Sequence, residues 1–140
     1  MGLKFMKYDF CTVRHNPPET YGDCMRACVS TLIGNNPPHF FHDGCDGDTG
    51  ANRLNEWLAQ FGYISAWTYF TDDYTLDEIM HMHGHNNPGV PAILIGSNRY
   101  DEAHCVCIEG GELLHDPSLN RCTVTDPQCG YWSIVYIVKK

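Results

Sequence analysis

The 140-residue sequence has no apolar run of membrane-spanning length and no cluster of basic residues. A bilayer span needs roughly 20 mostly apolar residues in succession, so no membrane partner is expected. Lys and Arg number nine against seventeen Asp and Glu, giving a formal charge of −8, and the nine are scattered along the chain. Phosphate recognition needs clustered cations, which argues against nucleic acid as a partner. No Pro-, Ser- or Gln-rich tract and no internal repeat is present, so no disordered arm is expected. Residues 1–7 lack a signal-peptide core, and Met6 stands where a myristoylation signal wants Ser or Thr. A cytoplasmic protein is the expectation.

What is present fits one domain spanning residues 1–140. The chain is 43% apolar and 19% charged, and a domain of this size buries roughly two thirds of the surface of its unfolded form. Eight cysteines stand out: Cys11, Cys24, Cys28, Cys45, Cys105, Cys107, Cys122 and Cys129. In a short exported chain they would suggest a disulfide framework, but without an export signal they are expected to stay reduced. A reduced, buried cysteine is a small apolar residue. The functional question is which of the eight differs from that.

Residues 11–22 contain Pro17, Pro18 and Gly22 and read as an irregular loop. Met25, Cys28, Val29, Leu32 and Ile33 then recur at helical spacing up to Gly34, so a helix starts through Asp23 and Cys24. Residues 35–48 read as a long loop, and Leu54, Trp57, Leu58 and Phe61 mark a second amphipathic helix stopped by Gly62. Residues 63–70 form an aromatic-rich strand candidate. Thr75 and Glu78 have the spacing of a capping box, opening a short helix through about Met82. After it come short apolar segments at 90–96, 103–109, 112–116, 121–125 (weak) and 131–138, separated by turn residues, which points to an antiparallel sheet. Helices first and strands after give an α+β domain.

Cys24 opens the first helix, where partial positive charge and orphan backbone N–H groups favour a thiolate and can hold an oxyanion. Cys28 lies one turn inward and belongs to the core. A base is supplied by the run His104-Cys105-Val106-Cys107-Ile108, whose alternation puts His104, Val106 and Ile108 on one face and the two cysteines on the other. Gly110-Gly111 turns the chain back toward His115-Asp116-Pro117. With a two-residue Gly-Gly loop and regular pairing, Asp116 falls on the wrong face. A three-residue loop, or a bulge, brings it opposite Val106 and diagonal to His104. A carboxylate there orients the imidazole, which exchanges its proton with Cys24. A core histidine satisfied by a neighbouring aspartate is the alternative.

Those residues carry a resemblance. The run Gly22-Asp23-Cys24-Met25-Arg26-Ala27-Cys28-Val29-Ser30-Thr31-Leu32 resembles the nucleophile helix of bacteriocin-processing peptidase domains in the papain-like cysteine peptidase superfamily, and His104-Cys-Val-Cys-Ile with His115-Asp116-Pro117 resembles their His strand and returning Asp-Pro. The chain is more similar still to small bacterial and phage proteins of papain-like type, over about residues 13–118. The resemblance implies a nucleophile helix packed on a C-terminal antiparallel sheet, and a thiol protease-like hydrolase cleaving a peptide or isopeptide bond with Cys24, His104 and Asp116. It implies no cofactor, and a protein or peptide substrate. A cysteine amidase, deamidase or transferase, or a weakly catalytic binding protein, stands as the alternative. Such families use a Gln upstream of the cysteine in the oxyanion hole. None lies between Cys11 and Cys24, which leaves His15 or Asn16 as substitute donor.

Other clusters have bland readings beside functional ones. His81-Met-His83-Gly-His85 looks metal-like, or is a solvated loop past a helix end. Residues 43–48 resemble a calcium loop in composition but lack its ligand spacing. Cys105, Cys107, Cys122 and Cys129 have no recognisable zinc spacing and are read as core or edge residues, so no metal site is expected. Tyr21 and Trp67 are candidates to line a cleft, and Ser97-Asn98-Arg99 is a turn that either contacts substrate or faces solvent.

Overall fold

In the computed structural model, which describes residues 7–16, 18–39 and 47–140, helix α1 (Cys24–Ile33) follows Asp23 and stops at Gly34, whose φ of 83° suits a residue with no Cβ. Helix α2 (Gly47–Ala59) starts earlier than the loop expected to run through residue 48, and strand β1 (Tyr63–Thr71) follows it. Helix α3 (Leu76–Asn86) has the capping box complete: Glu78 N–H donates to Thr75 Oγ1, and Thr75 N–H donates to the Glu78 carboxylate. It runs four residues beyond the expected end at Met82. The histidines expected to follow the helix therefore lie within it. His81 and His85, four residues apart, stack their exposed rings 6.0 Å apart, while His83 is buried on another side against Tyr136. Of the acidic 43–48 run, residues 43–46 lie outside the described residues, and 47 and 48 open α2.

Strands β2 (Ala92–Ser97), β3 (Ala103–Glu109), β4 (Glu112–His115) and β5 (Tyr131–Lys139) complete a five-stranded antiparallel sheet in the order β1-β5-β2-β3-β4. Residues 121–125 form no strand. Arg121 and Thr123 have φ of 53° and 49°, which breaks extended pairing, and the chain regains the sheet only at Thr125 and Asp126, which bond to Ser97.

Alternation along β3 divides the interior. Cys105 and Cys107, with Ile93 and Val135, pack beneath Met25, Cys28 and Val29 of α1 and Leu54 and Leu58 of α2. Val106 and Ile108 point the other way, to Leu94, Ile134, Trp132, Val124 and Ile79 of α3. The sheet thus has an apolar layer on each side. The architecture is α+β, with α1 on the β2–β3 face.

The β3–β4 hairpin settles the parity question raised by the sequence. Glu109 pairs with Glu112, so the loop is only Gly110-Gly111, at φ 61° and 80°. Ile108 pairs with Leu113 but Cys107 pairs with His115, leaving Leu114 as the extra residue of a β-bulge. The three-residue loop is absent. The bulge restores the parity instead and carries Asp116 to the Val106 side.

Candidate active site

Cys24, the first residue of α1, and His104, the second residue of β3, meet at one end of the sheet. Their side chains lie close enough to act on one another's charge, and Asp116 Oδ1 lies 2.9 Å from His104 Nε2. The carboxylate therefore holds Nε2, and Nδ1 is the ring atom left for the thiol side. His104 and Asp116 are both buried, whereas Cys24 is partly exposed. Two cavities, of about 650 and 420 Å³, flank the pair, and both are lined by His15, Gly22, Cys24, Ala103 and His104. Tyr21, Trp67 and Tyr69 wall the smaller one, and Asn98, Tyr100, Glu102 and Leu119 line the larger.

Asp116 is held from several directions. Ser118 N–H and Ser118 Oγ donate to Oδ1 at 3.0 and 2.7 Å, and Thr123 N–H donates to Oδ2 at 2.8 Å. Thr123 reaches that position at φ 49°, a conformation that costs a β-branched residue about 1–2 kcal/mol. The bond to a buried carboxylate offsets that cost. Cys122 backs the loop, with its N–H on Ser118 Oγ and its Sγ beside Asn98 Nδ2 at 3.3 Å. Burial acts to raise the Asp116 carboxyl, but the bonds from His104, Ser118 and Thr123 win and hold it well below its ordinary value. Burial likewise acts to lower His104, and Asp116 and Cys24 overcome it, raising the imidazole to about 9.

The sulfur does not behave as the helix N-terminus alone would dictate. The Cys24 thiol is pushed up by its contact with Cys105 and by burial, and His104 is what pulls it down. Asp23 adds no cap to the helix. Its carboxylate instead accepts from Thr12 N–H, Thr12 Oγ1 and Val13 N–H, and pairs with Arg26 Nε at 2.9 Å. Arg26 continues to Asp9 and to the Phe10 carbonyl. That network ties residues 9–13, and with them the Cys11-Thr12-Val13 wall of the larger cavity, to the start of α1.

Of the two candidate oxyanion donors, His15 lines both cavities and Asn16 lines neither. Asn16 is exposed and its backbone is bridged to Thr20. Gly22 N–H donates to His15 Nδ1 at 3.1 Å, so in the neutral ring the proton sits on Nε2. Gly22 permits this arrangement because a Cβ there would come within 2.9 Å of His15 Cβ.

His104, Asp116 and Cys122 offer donor atoms within 4.8 Å of one another, the one such group among the described residues that could hold a metal ion. The lone pairs a cation would need are engaged: Nε2 faces Asp116, and the carboxylate accepts from Ser118 and Thr123. Cys105 and Cys107 do not join Cys122, and Cys129 is exposed. Asn98 is nearly buried and closes its own turn by accepting from Tyr100 N–H and Glu102 N–H.

The roles of Ser118, Thr123 and Cys122 were not read from the sequence. Only Asp116-Pro117-Ser118 carried a signal, since an aspartate accepting from the N–H two residues on is a common turn device. Comparison with protein-family models, with curated proteins and with solved structures gives no match.

Proposed function

We propose that this chain is a cysteine-dependent hydrolase of papain-like type that cleaves an amide bond, in a peptide or isopeptide, through a thioester on Cys24. The observation that carries the reading is His104 held between Asp116 on one nitrogen and Cys24 on the other side, at the junction of two cavities. Cys24 attacks the carbonyl, the imidazolium protonates the leaving nitrogen, and the imidazole then takes a proton from the water that hydrolyses the thioester. Asp116 keeps the ring in place and stabilises its charged form. The Cys24 backbone N–H at the start of α1 and His15 Nε2–H are the donors available to a developing oxyanion.

One observation favours a second reading, a binding protein with a quiet thiol: Cys105 and burial hold the Cys24 thiol up. Alkylation separates the two. In a Cys129→Ser background, which removes the one exposed thiol among the described residues, iodoacetamide labelling is followed against pH and mapped by residue. The hydrolase reading expects Cys24 to react first and His104→Ala to slow it at least about tenfold. Equal, slow labelling of Cys24 and the buried cysteines, unchanged by His104→Ala, would leave the binding reading standing.

A further inference from the structure

Cys24 belongs to a chain of three sulfurs. Cys28 lies four residues on, on the same side of α1. Cys105 of β3 packs beside both: it lines the smaller cavity together with Cys24, and its Sγ lies 3.8 Å from Cys28 Sγ. Cys28 and Cys105 are sealed in the apolar layer, at 0% and 2% exposure, while Cys24 opens to both cavities. A small oxidant entering the cleft therefore meets Cys24, and Cys11 on the wall of the larger cavity, before the more deeply buried thiols. Cys107 is turned to the Cys28 carbonyl at 3.8 Å, and Cys122 is engaged with Asn98 and Ser118 beside the aspartate.

We propose that Cys105 is the resolving thiol of Cys24, so that a hydroperoxide converts the pair to a Cys24–Cys105 disulfide and switches the nucleophile off reversibly. In the first step the Cys24 thiolate attacks one peroxide oxygen, the O–O bond breaks, and hydroxide or alkoxide leaves with a proton from solvent. Cys24 is then a sulfenic acid, oxidised by two electrons that the peroxide has taken. In the second step the Cys105 sulfur attacks the Cys24 sulfur, the S–O bond breaks, and the oxygen leaves as water with the proton of the Cys105 thiol. Both residues line the smaller cavity, and the bond that would join their sulfurs is about 2.05 Å long. Cys24 and Cys28 act against burial to draw the Cys105 thiol below its ordinary value. The device depends on where the sulfurs lie and not on turnover, so its outcome is independent of whether the cleft hydrolyses amides.

The test uses the whole chain, reduced, freed of reductant, exposed to hydrogen peroxide, and peptide-mapped by mass spectrometry after free thiols are blocked. The expected product is a Cys24–Cys105 cross-link, seen as the loss of two hydrogens. Dithiothreitol reverses it and restores alkylation of Cys24. In Cys105→Ala, Cys24 instead gains two or three oxygens and its alkylation is not restored, while Cys28→Ala keeps the cross-link. Accumulation of Cys24 sulfinic acid in the unaltered chain without a cross-link, or a disulfide joining other cysteines, overturns the proposal. Mapping of the unaltered chain is sufficient by itself, so a variant that fails to fold takes nothing from the test.

Discussion

His104 concentrates the chemistry of the cleft because two opposite demands meet on one ring. Burial disfavours its charge, and the Asp116 carboxylate, itself fixed by Ser118 and Thr123, more than restores it. The sign of the pH dependence follows. An imidazole raised from 6.5 to about 9 contributes stability that is whole below pH 6.5 and lost as pH rises through about 9. A carboxylate held below 3.8 contributes stability that is present above that value and lost as pH falls. The urea midpoint is therefore expected to fall between pH 6.5 and about 9, and Asp116→Asn is expected to flatten that fall. Equal falls in both proteins would disconnect His104 from Asp116. Under the proposed hydrolase reading, the same substitution should slow Cys24-dependent cleavage about 10²-fold or more, read from kcat/KM on a peptide amide. Cys24, His104 and Asp116 were legible as residue types in order on expected elements. Cys105 as a contact of Cys24 was not, since alternation shows that a cysteine faces a layer but not which sulfur it meets there.

The β3–β4 hairpin shows how an element can place a functional side chain by counting. A two-residue turn on a regular ladder would aim Asp116 away from His104, and the bulge at Leu114 corrects the count. The turn itself needs residues that accept positive φ, and the two glycines differ in a measurable way. At Gly110 a Cβ meets nothing within 4 Å, so Gly110→Ala should cost only the backbone term, about 1–2 kcal/mol. At Gly111 a Cβ would also lie 3.0 Å from the Met80 carbonyl of α3, so Gly111→Ala should cost more. Denaturation midpoints of the two variants test this, and equal losses would mean that the approach to α3 adds no cost. The sequence offered either a longer loop or a bulge. It could not choose, because both return Asp116 to the same face and the choice lies in the packing of the hairpin tip on α3.

Across the whole molecule, the cleft is held together by polar ties that cross between layers. Asp9 N–H donates to Thr31 Oγ1 of α1, Cys11 N–H donates to the Pro117 carbonyl beyond β4, and His115 Nε2–H donates to the Asp9 carbonyl. The segment before α1 thus straps the helix that carries Cys24 to the strand that leads to Asp116. Arg26 anchors the strap and neutralises the buried Asp23. Arg26→Met should leave that carboxylate short of a partner and cost about 3–5 kcal/mol, measured by urea denaturation. A loss below about 1 kcal/mol would mean that the ion pair behaves as a surface pair and the strap is held by its backbone bonds alone.

Local spacing was enough to place α1 at Asp23 and Cys24, the capping box of α3, the extent of β3, and the division of β3 into a cysteine face and a Val-Ile face. Each follows from contacts within a few residues, where periodicity and cap chemistry act directly. Long-range packing settled the rest: α3 running on through its histidines, residues 121–125 bending around Asp116 in place of a strand, the bulge, and Cys105 coming to rest against Cys28 on the cavity that Cys24 lines. These depend on which buried polar groups and sulfurs find one another once the layers close, and sequence neighbours carry no record of that.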